Sequence, residues 1–276
     1  MDVRIIYFSQ TGNTQKVARA MSDVFHQGDH HVQLIALQNA TVEDAAGGDL
    51  IGVGTPCFSS KAPQPMMQFL DALPTLKKHK AFVFATCGGA PGKVLYDLSN
   101  SLRNKGVDVL AGHLTRGEVH HPAPSLVGRF LGRPNAEDLE QAQSFAKAIS
   151  ASLRDPFIRI PRNSDSSINH KKGFYEFLGS AISDPVIRAF LPEPKLNIIN
   201  CDQCSICSQE CPTQNIELKP YPVLGSDCIR CYHCYHICPG HAYSMNWQVG
   251  NPVIWLLYNQ VFERWFGDIK PGERIY

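Results

Sequence analysis

The sequence VRIIYFSQTGNT, residues 3–14, decides the fold of the N-terminal half of this chain. Residues 3–8 are rich in β-branched and aromatic side chains and predict a short buried strand. A hydroxyl-rich loop at residues 9–14 follows directly, and a helix is expected over residues 15–25. Free backbone N–H groups and the positive end of the helix dipole attract anions at such a junction. The stretch therefore predicts a phosphate site, and an ordinary N-capped helix is the alternative interpretation.

The same alternation of strand and helix continues to about residue 153. Further strands are expected at residues 32–37, 49–54, 81–86 and 107–115, and further helices at residues 63–73, 91–105 and 136–153. Five strands with intervening helices predict an α/β fold with a doubly wound parallel sheet. In such sheets ligands bind outside the carboxyl ends of the strands, at the switch point. The loops at residues 9–14, 55–61 and 86–92 all belong to that edge.

A cysteine motif, C-x2-C-x2-C-x3-C-P, occurs twice near the C-terminus, and the copies are 27 residues apart. The first run holds Cys201, Cys204, Cys207 and Cys211, and the second holds Cys228, Cys231, Cys234 and Cys238. Thiolates at this spacing bind iron–sulfur clusters, and the fourth cysteine of each run ligates the other cluster. The sequence therefore predicts one [4Fe–4S] cluster on Cys201, Cys204, Cys207 and Cys238, and another on Cys228, Cys231, Cys234 and Cys211.

Structural zinc is the alternative interpretation of the cysteine runs, because paired C-x2-C is also a zinc signature. A zinc site needs two pairs, whereas each run offers three closely spaced cysteines and a Cys-Pro. This difference favours iron–sulfur clusters.

Residues 1–153 resemble the flavodoxin family, on the strand–loop–helix stretch and the two later loops. The resemblance implies FMN as the cofactor, with its phosphate in the loop formed by Ser9, Gln10, Thr11, Gly12, Asn13 and Thr14. It implies two loops against the flavin ring, one with Thr55, Pro56, Cys57 and Phe58, and one with Thr86, Cys87, Gly88 and Gly89. Phe58 is the one aromatic candidate in these loops. One face of the ring is therefore expected to be open to a substrate or to the second domain.

Residues 197–246 resemble a bacterial two-cluster ferredoxin, a small α+β domain, on both cysteine runs. Residues 154–196 between the two domains are expected to form a connecting strap with helical periodicity near residues 174–191. Residues 247–276 are expected to form a C-terminal amphipathic helix and tail, with an apolar stripe over residues 251–266.

Three residues outside these motifs are weak catalytic candidates, namely His120, His121 and Cys87. Histidine titrates near neutrality and could donate a proton to a flavin or a substrate. Ordinary loop histidines and a small half-buried thiol are the alternative interpretations.

The composition limits the classes of function. The chain has 276 residues, 43% of them apolar, which is enough for two domains with proper cores. Ten cysteines and no expected signal peptide favour a reducing cytoplasm, and no apolar run is long enough to span a bilayer. The formal charge of +1 would become about −5 with two clusters and an FMN phosphate. This charge argues against a nucleic-acid partner.

The whole chain resembles flavodoxin–ferredoxin fusions of anaerobic microbes. A flavin accepts two electrons in single steps, and each cluster passes one. The resemblance implies a low-potential electron-transfer protein that works between soluble redox partners. The alternative is an FMN-dependent reductase of a small organic substrate, such as an activated alkene or a quinone, fed by its own clusters.

Overall fold

The computed structural model describes residues 1–89, 91–155, 157–158, 160 and 190–256. Five parallel strands form the central sheet in the order β2-β1-β3-β4-β5. The strands are β1 (Asp2–Tyr7), β2 (His31–Ala36), β3 (Leu50–Pro56), β4 (Lys80–Cys87) and β5 (Asp108–Arg116). The predicted five-stranded doubly wound sheet is confirmed, with its switch point between β1 and β3.

Helices cover both faces of this sheet and bury two apolar cores. The helices are α1 (Asn13–Gln27), α2 (Val42–Ala46), α3 (Gln64–Ala72), α4 (Val94–Asn104) and α5 (Ala136–Arg154). One core packs α1 and α5 on the sheet through Met21, Phe25 and Phe145. The other packs α3 and α4 through Leu70 and Leu98. The strands are therefore buried on both sides, as their continuous apolar runs require.

Two boundaries differ from the sequence prediction for local reasons. Helix α1 begins at Asn13, two residues early, because Gly12 adopts a left-handed φ of 88° and turns the chain directly into the helix. Helix α2 was not predicted, since five residues show no helical period. It is fixed by a capping box in which Thr41 and Asp44 satisfy each other's backbone N–H groups.

The C-terminal part of the described chain is small and mixed. It contains α6 (Ile206–Gln209), α7 (His233–Ile237), α8 (Gly250–Leu256) and four short strands. Strands β6 (Lys195–Leu196) and β9 (Tyr243–Ser244) pair antiparallel, as do β7 (Ile216–Leu218) and β8 (Pro222–Leu224). We call residues 195–244 the cysteine-rich region.

Two predicted elements fall wholly or partly outside the described residues. The helical periodicity near residues 174–191 lies almost entirely there. The predicted C-terminal helix is described only as far as Leu256, the last residue given for α8. Among the residues that the structure describes, no helix is both long and apolar enough to cross a membrane.

Candidate functional site

A cavity of about 810 Å³ lies at the carboxyl edge of the sheet, which is where the fold predicts a ligand. We call it the central cavity. Its walls include the loop at residues 9–14, the end of β3, the end of β4 and the segment after β5. Residues of the cysteine-rich region and of α8 form a further part of its wall. The cavity is thus shared by the two halves of the described chain.

The N-terminus of α1 opens toward this cavity and carries no acidic residue in its first turn. A Cβ built on Gly12 would meet no atom within 4 Å, so the loop encloses free space at the helix end. The hydroxyl of Thr14 bonds to that of Thr86 at 2.8 Å and ties the loop to β4. The Asn13 side chain donates to the carbonyl of Glu118 at 3.0 Å and ties it to the segment after β5. These residues fit a phosphate held by backbone N–H groups.

Of the two predicted ring-contacting loops, Pro56, Cys57, Phe58, Thr86, Cys87 and Gly88 line the central cavity. Thr55 is fully buried at the end of β3, and its hydroxyl has no hydrogen-bond partner among the described residues. Phe58 packs edge-on against Phe8 with ring centroids 6.3 Å apart. This contact fixes the aromatic ring beside the space that the flavin would occupy.

Cys57, directly after β3, lies next to Cys87 at the end of β4, because the Cys57 N–H donates to the Thr86 carbonyl at 2.8 Å. The Cys87 thiol donates to the Gly89 carbonyl at 2.9 Å. The hydrogen bond with Cys87 and burial raise the pKa of Cys57 well above its usual value. A protonated thiol is a weak nucleophile, so the pair suits packing against a ring better than covalent chemistry.

The segment after β5 contacts the cysteine-rich region and Trp247, which follows that region. His121 packs edge-on against Tyr232 and Trp247, with centroids 5.0 and 5.4 Å away. His120 faces His236 at 6.4 Å. The Ser125 N–H donates to the Asn251 side chain at 2.8 Å, which links the segment after β5 to α8. The two candidate histidines thus form part of the contact between the halves.

Electrostatic effects connect cysteines of the two runs. Burial raises the pKa of Cys207, and nearby Cys204 and Cys238 raise it further. Burial raises the pKa of Cys231 to about 11, with further contributions from Cys228 and Cys211. Each run's fourth cysteine therefore lies near thiols of the other run. Crowded, buried thiols resist ionisation unless a positive core compensates them, as iron would.

Backbone conformations repeat around the two groups with the 27-residue offset of the motifs. Gln203, Ser205 and Gln214 have left-handed φ values, as do Arg230, Tyr232 and His241. Such turns aim N–H groups inward and form concavities that hold anionic clusters. The Asn215 N–H donates to the Cys211 sulfur at 3.4 Å, and the Ala242 N–H to the Cys238 sulfur at 3.3 Å. The residues present fit two cubane clusters.

Among the described residues, no three His, Cys, Asp or Glu side chains converge on a point that would hold a single metal ion. A [4Fe–4S] cluster places one thiolate on each of four irons, so its ligands surround a cube and do not converge on one ion.

The model of the flavodoxin domain family matches residues 4–156, more than half of the chain. The chain belongs to this family. Its flavodoxin domain is an FMN-dependent electron-transfer unit, and the free space at the α1 terminus fits the cofactor's phosphate.

Individual proteins and solved structures are also similar to parts of this chain. An uncharacterized protein of Methanocaldococcus jannaschii is 28% identical over 140 residues, which are 50% of this chain and 89% of that protein. The flavodoxin of Megasphaera elsdenii is 29% identical over 94 residues, 33% of this chain and 69% of its own length. A flavodoxin structure from the domain Archaea matches with a TM-score of 0.45 and 20% identity, over 56% of this chain and 99% of that one.

Sequence reasoning missed several residues of the flavodoxin domain's cavity. Asp97 on α4 faces it, and burial raises the pKa of this carboxyl while Lys93 at 3.0 Å opposes the shift. The wall formed by residues 117–121 and Leu126 was also missed, apart from the two histidines. Residues 117–121 and Leu126 lie in a loop without periodicity, so no pattern in the sequence indicated them.

Proposed function

We propose that this protein is a low-potential electron-transfer protein in which two [4Fe–4S] clusters exchange electrons with FMN within one chain. Residues 1–153 would hold the FMN, and residues 197–246 would hold the clusters. One observation carries the proposal: the central cavity is lined both by the FMN loops and by residues that flank the cluster ligand Cys231. The flavin and a cluster would therefore be direct neighbours.

Each cofactor has a distinct group of residues to hold it. The α1 terminus and the loop at residues 9–14 would bind the FMN phosphate, and the loops at 55–58 and 86–89 would contact its ring. The crossed cysteine groups would hold the clusters, and the inward N–H groups would stabilise their negative charge. When bound, FMN supplies two-electron chemistry in single steps, and the clusters supply one-electron transport.

A spectrum and a metal analysis test this proposal. Protein purified without oxygen should contain about one FMN and about eight irons per chain, as two cubane clusters require. Its reduced form should show the EPR signals of two interacting clusters. Protein that contained zinc in place of iron, or that bound no flavin under these conditions, would overturn the proposal.

A reductase is the second candidate, and the extent of the central cavity favours it. The cavity continues past the ring-contacting loops to Lys61, Gln64 and Met67, and His120 and His236 line another side. Bound FMN could leave room there for a small organic substrate beside a proton donor. Turnover should be measured with activated alkenes and quinones, using reduced ferredoxin as electron donor. If no compound of this panel is reduced, the electron-carrier function stands alone.

A further inference from the structure

We propose that the two clusters act in series, in a fixed order. The inner cluster, on Cys228, Cys231, Cys234 and Cys211, exchanges electrons with the flavin. The outer cluster, on Cys201, Cys204, Cys207 and Cys238, exchanges electrons with a separate one-electron carrier protein. This inference rests on the proposed function and adds to it the path between its cofactors.

The composition of the cavity wall identifies the inner cluster. Ile229, Arg230, Cys231 and His233 of the second run line the central cavity. No cysteine of the first run lines it among the described residues. The probability of electron tunnelling falls exponentially with distance, so the centre beside the cavity dominates the exchange with the flavin.

The side chain of Gln10 lies in the same cavity wall as the inner cluster. Gln10 belongs to the predicted phosphate loop and lines the central cavity together with Cys231. Its Nε2 is buried and has no hydrogen-bond partner among the described residues, so it is a donor available to a sulfur of the inner cluster. A donor to a ligand sulfur stabilises the more negative, reduced state of a cluster. Gln10 is therefore a positioning residue that acts on the potential of the inner cluster.

Part of the first run faces solvent. Cys204 is exposed, and the neighbouring Ile199 is 93% exposed. The outer cluster has its own donor, since the Tyr243 hydroxyl donates to the Cys207 sulfur at 3.3 Å. Cys207 and Cys234 share one small core, so the two groups are adjacent and electrons can pass between them.

The electrons balance when the flavin is reduced one electron at a time. A reduced carrier protein would give one electron to the outer cluster and be oxidised. That electron would pass to the inner cluster and then to FMN. A second carrier would repeat the sequence, and two protons from solvent would complete the two-electron reduction of the flavin. In the opposite direction the order of the centres is reversed.

Two matched hydrogen-bond variants test the assignment of each donor to its cluster. Gln10→Leu should lower the reduction potential of the inner cluster and leave that of the outer cluster unchanged. Tyr243→Phe should lower the reduction potential of the outer cluster and leave that of the inner cluster unchanged. An EPR-monitored redox titration measures both potentials in one sample of the loaded protein. If Gln10→Leu shifted only the outer cluster, or neither, the proposed order would be wrong.

Two matched ligand variants identify the signals and test the order directly. Cys204→Ser and Cys231→Ser occupy equivalent positions in the two runs, so they perturb the outer and inner clusters in the same way. After a light-driven pulse of reduction, transfer between the surviving cluster and FMN should keep its wild-type rate in Cys204→Ser. The transfer should slow by an order of magnitude or more in Cys231→Ser.

The reverse pattern of rates would overturn the order of the clusters while leaving the proposed function intact. Parent protein that lacked FMN or iron would instead overturn the proposed function. The FMN and iron contents of every variant are therefore measured first.

Discussion

His113 is a buried histidine whose surroundings do not stabilise a positive charge on its ring. It is 3% exposed on β5 and stacks on Phe145, with ring centroids 5.2 Å apart. Neither ring nitrogen has a hydrogen-bond partner among the described residues. Burial lowers the pKa of His113 to about 4, from 6.5. The folded state therefore holds this ring neutral at pH values where the unfolded chain binds a proton.

We predict that His113→Leu makes the protein less sensitive to acid. Because the pKa of His113 is lower in the folded state, this residue does not reduce the free energy of unfolding above pH 6.5. The reduction grows as the pH falls from 6.5 toward 4. At pH 5 the cost is about 2 kcal/mol in the free energy of unfolding. Urea unfolding of parent and variant at pH 7 and pH 5 measures the difference. His26→Leu, at an exposed position of α1, is the control.

Effects of acid on the clusters are common to both proteins and cancel in the comparison. If His113→Leu and the parent lost the same stability between pH 7 and pH 5, the buried ring would not be a source of acid sensitivity.

The junction of β1 and α1 depends on the backbone of one glycine. Gly12 has φ 88° and faces the free space at the helix end. A side chain there strains the backbone and also enters the space that fits a phosphate. Gly128 has φ 77° and likewise meets no atom within 4 Å. Thr11 and Asn13 on either side of Gly12 line the central cavity, whereas the residues on either side of Gly128 do not. Substitutions at the two glycines therefore distinguish the effect of backbone strain from the effect of excluding a ligand.

We predict that Gly12→Ala weakens FMN binding about tenfold or more, equivalent to at least about 1.4 kcal/mol. Gly128→Ala should leave the FMN dissociation constant unchanged, although both variants should lose about 1 kcal/mol of stability. Fluorescence titration of flavin-free protein with FMN measures the affinity, and thermal unfolding measures the stability. Equal FMN affinities of the two variants would show that the phosphate does not bind at the N-terminus of α1.

The fourth cysteine of each run provides a second test at the level of elements. We predict that Cys211→Ser damages the cluster on Cys228, Cys231 and Cys234, and that Cys238→Ser damages the one on Cys201, Cys204 and Cys207. Each variant should lose one EPR signal, and the two lost signals should differ. Iron analysis with EPR measures this. Loss of the cluster from the variant's own run would contradict the crossed ligation.

The sheet could be predicted because continuous apolar runs such as residues 81–86 have few alternatives to a buried parallel strand. The start of α1 could not be placed correctly, since it depends on the φ angle of Gly12. The short α2 depends on a side-chain cap at Thr41, which no periodicity reveals. In the candidate site, the sequence placed the loops after β1, β3 and β4 at the carboxyl edge of the sheet, whereas the wall after β5 was missed apart from its two histidines.

At the level of the whole molecule, His121 joins the two halves of the described chain. Its ring contacts Tyr232 and Trp247, which lie more than 100 residues further along the sequence. Such a contact could not be predicted, because a histidine in a loop has no pattern that names its partner. Burial and nearby His236 lower the pKa of His121 to about 4, so the ring is neutral at pH 7 and packs without charge.

We predict that His121→Ala speeds the release of FMN by several-fold. Aromatic contacts contribute about 0.5–1.5 kcal/mol each, and their loss favours separation of the cysteine-rich region from the central cavity. The rate is measured by trapping released FMN with an excess of another apoflavodoxin. His31→Ala, at an exposed position of β2, should have no effect. An unchanged rate in His121→Ala would mean that the region does not retain the flavin.

The short strands of the cysteine-rich region are also related by the 27-residue offset, so this region has two similar halves with one cysteine run each. Strand β6 of the first half pairs with β9 of the second, and β7 of the first half pairs with β8 of the second. Neither half therefore contains a complete hairpin of its own. If this region arose by tandem duplication, its single-copy ancestor would have had to associate with an identical chain in order to fold. Joining two copies in one polypeptide would then have removed the dependence on concentration and allowed the halves to diverge, one facing the flavin and the other the solvent.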